Sequence, residues 1–556
     1  MLRIKIDQIS LFAAALLLLC GACKKDFLER APGVNLTLDK VFADPVLAAE
    51  FADNSYQFRV SDYHRWGASS TRTSTAHLSD ESVAGGDALT SVVAFYQGLY
   101  HSTENDIGTV WDDSYKGIRN CNIVLSRIDP VPWTAAQDAK RIRGEQYFLR
   151  AFYYFELIKR FGAVPLIEKV YGLDENIDLA RSTYDECVSF ILADLDKAET
   201  MLPLEYNATS GPNTASNYGR ATLGSARALR ARTLLYAASP RDNPTGDAAR
   251  WQKAAAAAKA VMDMNLYSLM PAYASMLSLN RSPEYILTKV RGPRSRVFTY
   301  LQDAILSPGS GGDQGTNNPT QNHVDLYEMA NGKPITDPSS GYDPQQPYVG
   351  RDPRFYANVL YNDVPWQGRR MQMYDGGQDY REGNQTYSLT RYYIRKWWPE
   401  VISAASSGTA LVNYIYFRYG EVLLNYAEAQ NEAAGPDATV YNAINQIRTR
   451  AGMPNLPAGL TKTEMRNRIR NERAVELAYE DQRWYDIMRW KTGPQVIAQP
   501  MKGMNVTRNA NGSFSYQVVT LPAGVQKIYT ENQHYYPIPR REVQKSNSVL
   551  KQNPGW

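Results

Sequence analysis

Apolar residues recur at spacings of three and four along most of this chain, in runs of about 15 to 25 residues, the signature of helices with one buried face. In 113–128 the positions are Tyr115, Ile118, Cys121, Leu125 and Ile128. In 186–202 they are Val188, Ile191, Leu195, Ala198 and Leu202, and Pro203 then disfavours helix at the residue before it. Between them, 137–161 carries Ile142, Phe148, Ala151, Phe152, Phe155 and Ile158 and stops at Gly162. The same spacing predicts helices over 220–238, 250–264, 418–433, 439–451 and 463–490. Several are rich in alanine at contact positions, such as Ala226, Ala228 and Ala231 and the five alanines that follow Lys253, so helix axes can approach closely. Paired helices of this length point to a mainly α, tetratricopeptide-like stack without a strict 34-residue period.

From about 280 to 410 the periodicity fades, and Pro, Gly, Asn and Asp accumulate in turn-forming runs such as SPGSGGDQGTNNPTQN. This predicts an irregular, loop-rich lobe between two scaffold stretches, about 37–279 and 411–556. Tyr342, Tyr348, Tyr361, Trp366, Tyr374, Tyr380, Tyr387, Tyr392, Tyr393, Trp397 and Trp398 lie within it. A second irregular stretch, 61–105, holds Tyr63, His64, Trp66, Asp80, Glu81, Tyr96 and Tyr100. Long loops kept in a compact protein are more often functional than accidental.

The leader has its own pattern. Arg3 and Lys5 precede an apolar stretch from Ile9 to Leu19, and Gly21 and Ala22 stand directly before Cys23. About a dozen apolar residues fall short of the roughly 20 that span a bilayer as a helix. The layout is that of a secretory signal over 1–22 ending in a lipid-attachment cysteine, with an ordinary signal peptide cut elsewhere as the alternative. Two or more acyl chains on Cys23 would hold residues 23–556 stably on a membrane.

Composition narrows the function. With 61 basic and 57 acidic residues and no basic run, the chain has no electrostatic footprint for nucleic acid. Cys121 and Cys187 fall in helical apolar patterns and read as two buried thiols rather than a disulfide. Five histidines without an HExxH pair or a Cys/His cluster predict no metal site, and no cofactor motif occurs. The paired acids Asp80/Glu81 and Asp112/Asp113 do not by themselves make a glycosidase, whose two carboxyls must flank a bond at a defined separation. Asp112 and Asp113 read instead as capping a helix start. The 38 tyrosines and 10 tryptophans stand out. Such rings fill a large core, and exposed ones pack on the C–H face of a sugar while neighbouring polar groups take its hydroxyls. By region the candidates are Trp66 and Tyr96 from the first irregular stretch and Trp366 and Tyr374 from the second, with Arg72, Asp80 and Asn362 as polar partners. Of the adjacent Trp397 and Trp398, one is expected to face inward.

Six blocks in order resemble the SusD/RagB family of surface glycan-binding lipoproteins: CKKDFLERAP from Cys23 together with the run Trp111, Tyr115, Ile118 and Asn122, then GEQYFLRAFYYFELIKRFGAVPL from Gly144, RYGEVLLNYAEAQNEAAG from Arg418, AINQIRTRAG from Ala443, NERAVELAYEDQRWYDIMRW from Asn471, and the ending from Tyr535 to Trp556. The resemblance implies a single domain of tetratricopeptide-like helix pairs with a less regular lobe beside it. It implies a lipid-anchored position on the outer-membrane surface, a SusC-like TonB-dependent transporter as partner, and an oligosaccharide or polysaccharide ligand. A binder of peptides or another non-sugar nutrient in the same architecture, or a surface glycosidase, is the alternative.

Overall fold

The computed structural model describes residues 37–556 apart from 60–73, 86–89, 104–107, 173, 176–177, 208–213, 291–293, 296–308, 310–314, 385, 398–399, 401–408 and 411–412. The leader, Cys23, Trp66, Arg72 and Trp398 lie outside the described residues. The chain is mainly α. Its principal helices are α1 (Gly108–Arg127), α2 (Ala139–Phe161), α3 (Tyr184–Glu199), α4 (Leu223–Ala238), α5 (Ala248–Met262), α6 (Tyr419–Ala434), α7 (Ala438–Arg450), α8 (Lys462–Glu476) and α9 (Arg483–Trp490). From α1 to α7 each packs on the next, and α6 also packs on α8.

Local sequence sets the helix limits. Thr183 opens α3 with a capping box in which its hydroxyl takes the Glu186 N–H and Glu186 reaches back to the Thr183 N–H. One face of α3, Cys187, Val188, Ile191, Leu195 and Ala198, is buried. Helix α2 is buried on nearly every side and ends at Gly162 with φ +71°. A Cβ there would meet the Tyr535 ring at 3.2 Å, so glycine satisfies both the left-handed turn and the close approach. The alanines are buried as anticipated: Ala226, Ala228 and Ala231 in α4 and Ala254, Ala255, Ala257 and Ala258 in α5, two helices that pack on each other. Cys121 and Cys187 are both buried and free.

Two expectations change. The single helix read over 463–490 is two, α8 and α9, broken where Tyr479 and Asp481 take φ of +60°. The break carries the Tyr479 N–H onto the Glu81 carboxylate at 2.7 Å and turns Glu480 toward Arg418 and Lys396. Bonds of this kind hold a backbone conformation that non-glycine residues otherwise avoid. Asp112 and Asp113 do not cap α1, which already starts at Gly108; Asp112 pairs with Arg541 and Asp113 with Lys116.

Helices α5 and α6 pack together although residues 263–418 separate them. That insertion leaves and returns through an antiparallel pair, β2 (Tyr285–Lys289) with β4 (Tyr414–Arg418). The irregular lobe beyond is not one continuous segment. Strand β1 (Ser82–Ala84) pairs with β3 (Asn317–Pro319), and the hairpin β5 (Lys502–Arg508) with β6 (Phe514–Thr520) lays Met504 and Val506 into a cluster with Val324, Phe355, Tyr374 and Tyr392.

Buried ion pairs stitch the lobe to the stack. Arg418, at the end of β4, reaches Glu284 (2.7 Å), Glu476 (2.8 Å) and Glu480 (2.8 Å). Arg354 joins Asp352 (2.7 Å), Glu472 (2.6 Å) and Glu476 (3.1 Å), and Arg448 joins Glu328 (2.9 Å) and Glu472 (3.0 Å). Burial alone would raise the Glu476 carboxyl, but Arg450, Arg418 and Arg354 together hold it well below the usual carboxylate range. Among the described residues no helix is long and apolar enough to cross a membrane.

Candidate functional site

The ring candidates among the described residues, Tyr96, Trp366 and Tyr374, are buried. Trp366 is 1% exposed and sits among Met371, Met373, Tyr393, Ile394 and Trp397, with the Arg395 guanidinium 5.2 Å from its ring. Tyr374 packs in a second cluster, its ring 5.5 Å from that of Phe514. Asn362, also 1% exposed, accepts the Met373 N–H at 3.0 Å and donates to the Tyr516 hydroxyl at 3.3 Å. Tyr96 is 1% exposed beneath the Lys527 ammonium, and burial pushes its phenol up to about 12. Asp80 is buried in a bidentate pair with Arg483 at 2.8 and 2.9 Å; burial opposes its charge, and Arg483 more than offsets that, leaving the carboxyl below its ordinary value. Asn362, Trp366 and Tyr374 thus belong to the lobe interior, and Tyr96 and Asp80 flank Lys527. The structure does not bring these five onto one accessible surface. Without regular elements to space them, large rings fill the lobe from within, and a buried ring cannot offer its face to a sugar. Trp397 faces inward, donating to the Tyr479 carbonyl at 3.0 Å.

Two adjoining clefts, about 180 and 290 Å³, open on either side of the turn Tyr218-Gly219-Arg220, where the scaffold meets β2. Asp44 caps the helix Pro45–Asp53 by accepting the N–H groups of Val46 and Leu47, and that helix delivers Asp53, Tyr56 and Arg59 to the wall. The opposite wall is the 214–220 turn. Gly219 has φ +96°, and a Cβ there would come within 3.1 Å of the Thr288 carbonyl, so only glycine lets the turn lie against β2. Thr222 then caps α4.

The site is a set of rings with guanidinium groups over their faces. Arg220 donates to Asp53 at 2.6 Å and to Glu145 at 3.3 Å, and Glu145 in turn holds Arg141 at 2.7 Å. Burial raises the Glu145 carboxyl despite both arginines. The Arg281 guanidinium lies 4.5 Å over the Tyr218 ring. Arg59 is held between Tyr56 and Tyr416, 4.7 Å from each ring centroid, and donates its Nε to the Tyr56 carbonyl at 3.1 Å. Tyr206, Tyr267 and Tyr285 line the smaller cleft. Tyr206 and Tyr285 are buried, whereas the half-buried Tyr56, Tyr218 and Tyr267, with donors nearby, can take a flat ligand that has one apolar face and hydroxyls around its rim. Sequence reasoning passed over these residues, although the run NATSGPNTASNYGR at 207–220 carries the same turn-forming signal as the lobe.

A larger cleft of about 640 Å³ lies between α1 and the C-terminal residues, with Trp111, Tyr115, Ile118, Pro165, Ile167 and Leu550 among its walls. Its rim cations already have carboxylate partners in four cases: Arg541 with Asp112, Lys545 with Glu542, Lys116 with Asp113 and Lys169 with Glu175. Among the described residues no group of histidines, cysteines and carboxylates has the arrangement of a metal site.

Comparison with known proteins places these features in a lineage. Residues 284–556 match the model described as the SusD family, and residues 26–223 match one described as starch-binding associating with outer membrane. SusD-like protein P2 of Formosa agariphila is 25% identical over 463 residues, 81% of each chain. A SusD-like protein of Bacteroides ovatus is 23% identical over 510 residues, covering 88% of this chain and 83% of that one. The crystal structure of a SusD-like protein from Bacteroides fragilis superposes with a TM-score of 0.78 at 28% identity, covering 95% of this chain and all 100% of the other.

Proposed function

The chain belongs to the SusD family, and on that premise we propose that it is a non-catalytic glycan-binding lipoprotein of the cell surface, anchored at Cys23. It captures oligosaccharide or polysaccharide and delivers it to a partner TonB-dependent outer-membrane transporter. Family membership supports carbohydrate binding and an outer-membrane association in general. The observation that carries the reading to a place on the molecule is the tyrosine-lined groove at the 218 turn, where Tyr56 and Tyr218 stand beside Arg59 and Arg220. Binding without turnover agrees with two carboxylates here: Asp53 in the wall is tied to Arg220, and Glu145 behind it to both Arg141 and Arg220. Neither is free to act as an acid or base across a glycosidic bond.

Capture and hand-over call for weak binding. One ring packed on a sugar face contributes roughly 1 to 2 kcal/mol after ordering costs. Two or three such contacts give dissociation constants on the order of millimolar to micromolar. The test is titration calorimetry of residues 24–556 against a panel of soluble glycans, repeated with Tyr218→Ala. The expected loss is roughly tenfold in affinity, with an unchanged melting temperature. Undiminished glycan affinity in Tyr218→Ala would move the site elsewhere. Extraction of the native membrane in mild detergent tests the second half of the proposal, which fails if the transporter and this protein always separate.

A further inference from the structure

Arg59 is the least explained residue of the groove. It is only 9% exposed, its Nε is satisfied by the Tyr56 carbonyl, and its Nη1 has no hydrogen-bond partner. The two flanking tyrosine rings offset part of the cost of burying a cation but accept no N–H in the guanidinium plane. An unsatisfied donor on a charged group is expensive to keep. Among the described residues its surroundings do not supply the missing anion. Asp53 is the only carboxylate among the described residues lining the larger of the two clefts, against Arg59 and Arg220, and it already faces Arg220. Including the ions behind the wall leaves the balance the same, since Arg141 and Arg220 share Glu145.

We propose that this groove takes an acidic glycan, with a sugar carboxylate or sulfate ester supplying the oxyanion that Arg59 lacks while the Tyr56 and Tyr218 rings carry the sugar's apolar face. This rests on the reading of the groove as a glycan site and adds the class of sugar. A guanidinium fork suits an oxyanion because parallel N–H donors match its oxygens, and the charged bond is about twice as strong as a neutral one. A neutral sugar leaves the charge excess of the groove unanswered.

The test compares matched probes: oligogalacturonate against its methyl ester, and a sulfated galactan oligosaccharide against its desulfated form, which also separates the two sources of the oxyanion. The wild-type protein should bind at least one acidic member about tenfold or more tighter than its neutral partner. That preference should shrink as salt rises from about 0.05 to about 0.5 M. Arg59→Gln should abolish the preference and Arg59→Lys should keep part of it, while Tyr218→Ala weakens both members of a pair. If Arg59→Gln does not fold, the wild-type preference and its salt dependence still decide. Equal affinity for acidic and neutral members, with Tyr218→Ala still weakening both, overturns the acidic-sugar inference and leaves the glycan site standing. Indifference to Tyr218→Ala, or no binding of any member, overturns both.

Discussion

The helical stack and the irregular lobe are both sealed from water, but with different side chains. Helices α4 and α5 pack on each other and bury alanines such as Ala228, Ala231, Ala254 and Ala258. The lobe's clusters are built from Trp366, Trp397, Tyr392, Tyr393, Met371 and Met373. A helix satisfies its own backbone, so two helices can approach on small side chains and gain dispersion contacts along their length. Among its described residues the lobe has only two-stranded pairings, and its backbone needs partners from side chains. Arg351 donates to the carbonyls of Pro347, Val324 and Tyr327, and Arg391 to those of Met373 and Val506. Rings fill the volume that regular packing would have closed. Between the two regions lies the ionic seam of Arg354, Arg418, Arg448 and Arg450 with Glu284, Glu328, Glu472 and Glu476.

Acid should break this contrast most strongly. Burial would raise Glu156 and Glu428, but Lys159 and Arg160 beside the first and Arg489 beside the second overcome it and hold both at about 2, against an ordinary 4.5. Between those values the unfolded chain binds protons that the folded one refuses. Stability is therefore complete above about pH 4.5 and lost as the pH falls toward 2, by on the order of 3 kcal/mol for each group. Urea midpoints measured at pH 4.5 and 2.5 should fall over that step. A midpoint unchanged at pH 2.5 would show that these charges are not held as the ion pairs require.

The seam itself is tested by Glu476→Ala, which leaves three buried arginines short of a partner. Removing one member of such a set costs about 3 to 5 kcal/mol. The loss should register both in the melting temperature and in proteolysis of the 263–418 insertion. A stable variant with an intact insertion would mean that the lobe is held by its apolar contacts alone.

Trp366→Ala sharpens the contrast from the lobe side. A core tryptophan costs about 3 to 5 kcal/mol on truncation, whereas an exposed platform costs binding and little stability. Since Trp366 is buried, melting should drop, and any change in glycan affinity should follow the loss of folded protein. A normal melting curve with weakened binding would restore it as a ligand platform.

How far each region could be read in the sequence follows from the same physics. The helices were legible because burial repeats with the helix period, so Val188, Ile191, Leu195 and Ala198 announce one face. The break between α8 and α9 was not, because Tyr479 and Asp481 are held at positive φ by remote partners such as Glu81. In the lobe no period separates inside from outside, so Trp366 and Tyr374 looked the same as surface rings. The groove was hidden for another reason. Arg59, Tyr218 and Thr288 lie far apart in the chain and meet only because Gly219 lets a turn settle on β2.

The smallest effect asks whether the two cores are independent. Thr183→Ala removes the α3 capping box, whose hydroxyl accepts the Glu186 N–H at 3.2 Å, and should cost about 1 kcal/mol. Thr183 belongs to the stack and shares no partner with Trp366, whose neighbours are Met371, Met373 and Tyr393. Distant sites without common partners add within about 0.5 kcal/mol. The double variant Thr183→Ala/Trp366→Ala should therefore lose the sum of the two single losses in denaturant unfolding, with one cooperative transition. Glu476→Ala combined with Trp366→Ala should not add, because the lobe that Trp366 fills is the lobe the seam holds. If the first pair couples strongly and the second adds, the ion pairs are incidental and the stack and lobe form one continuous core.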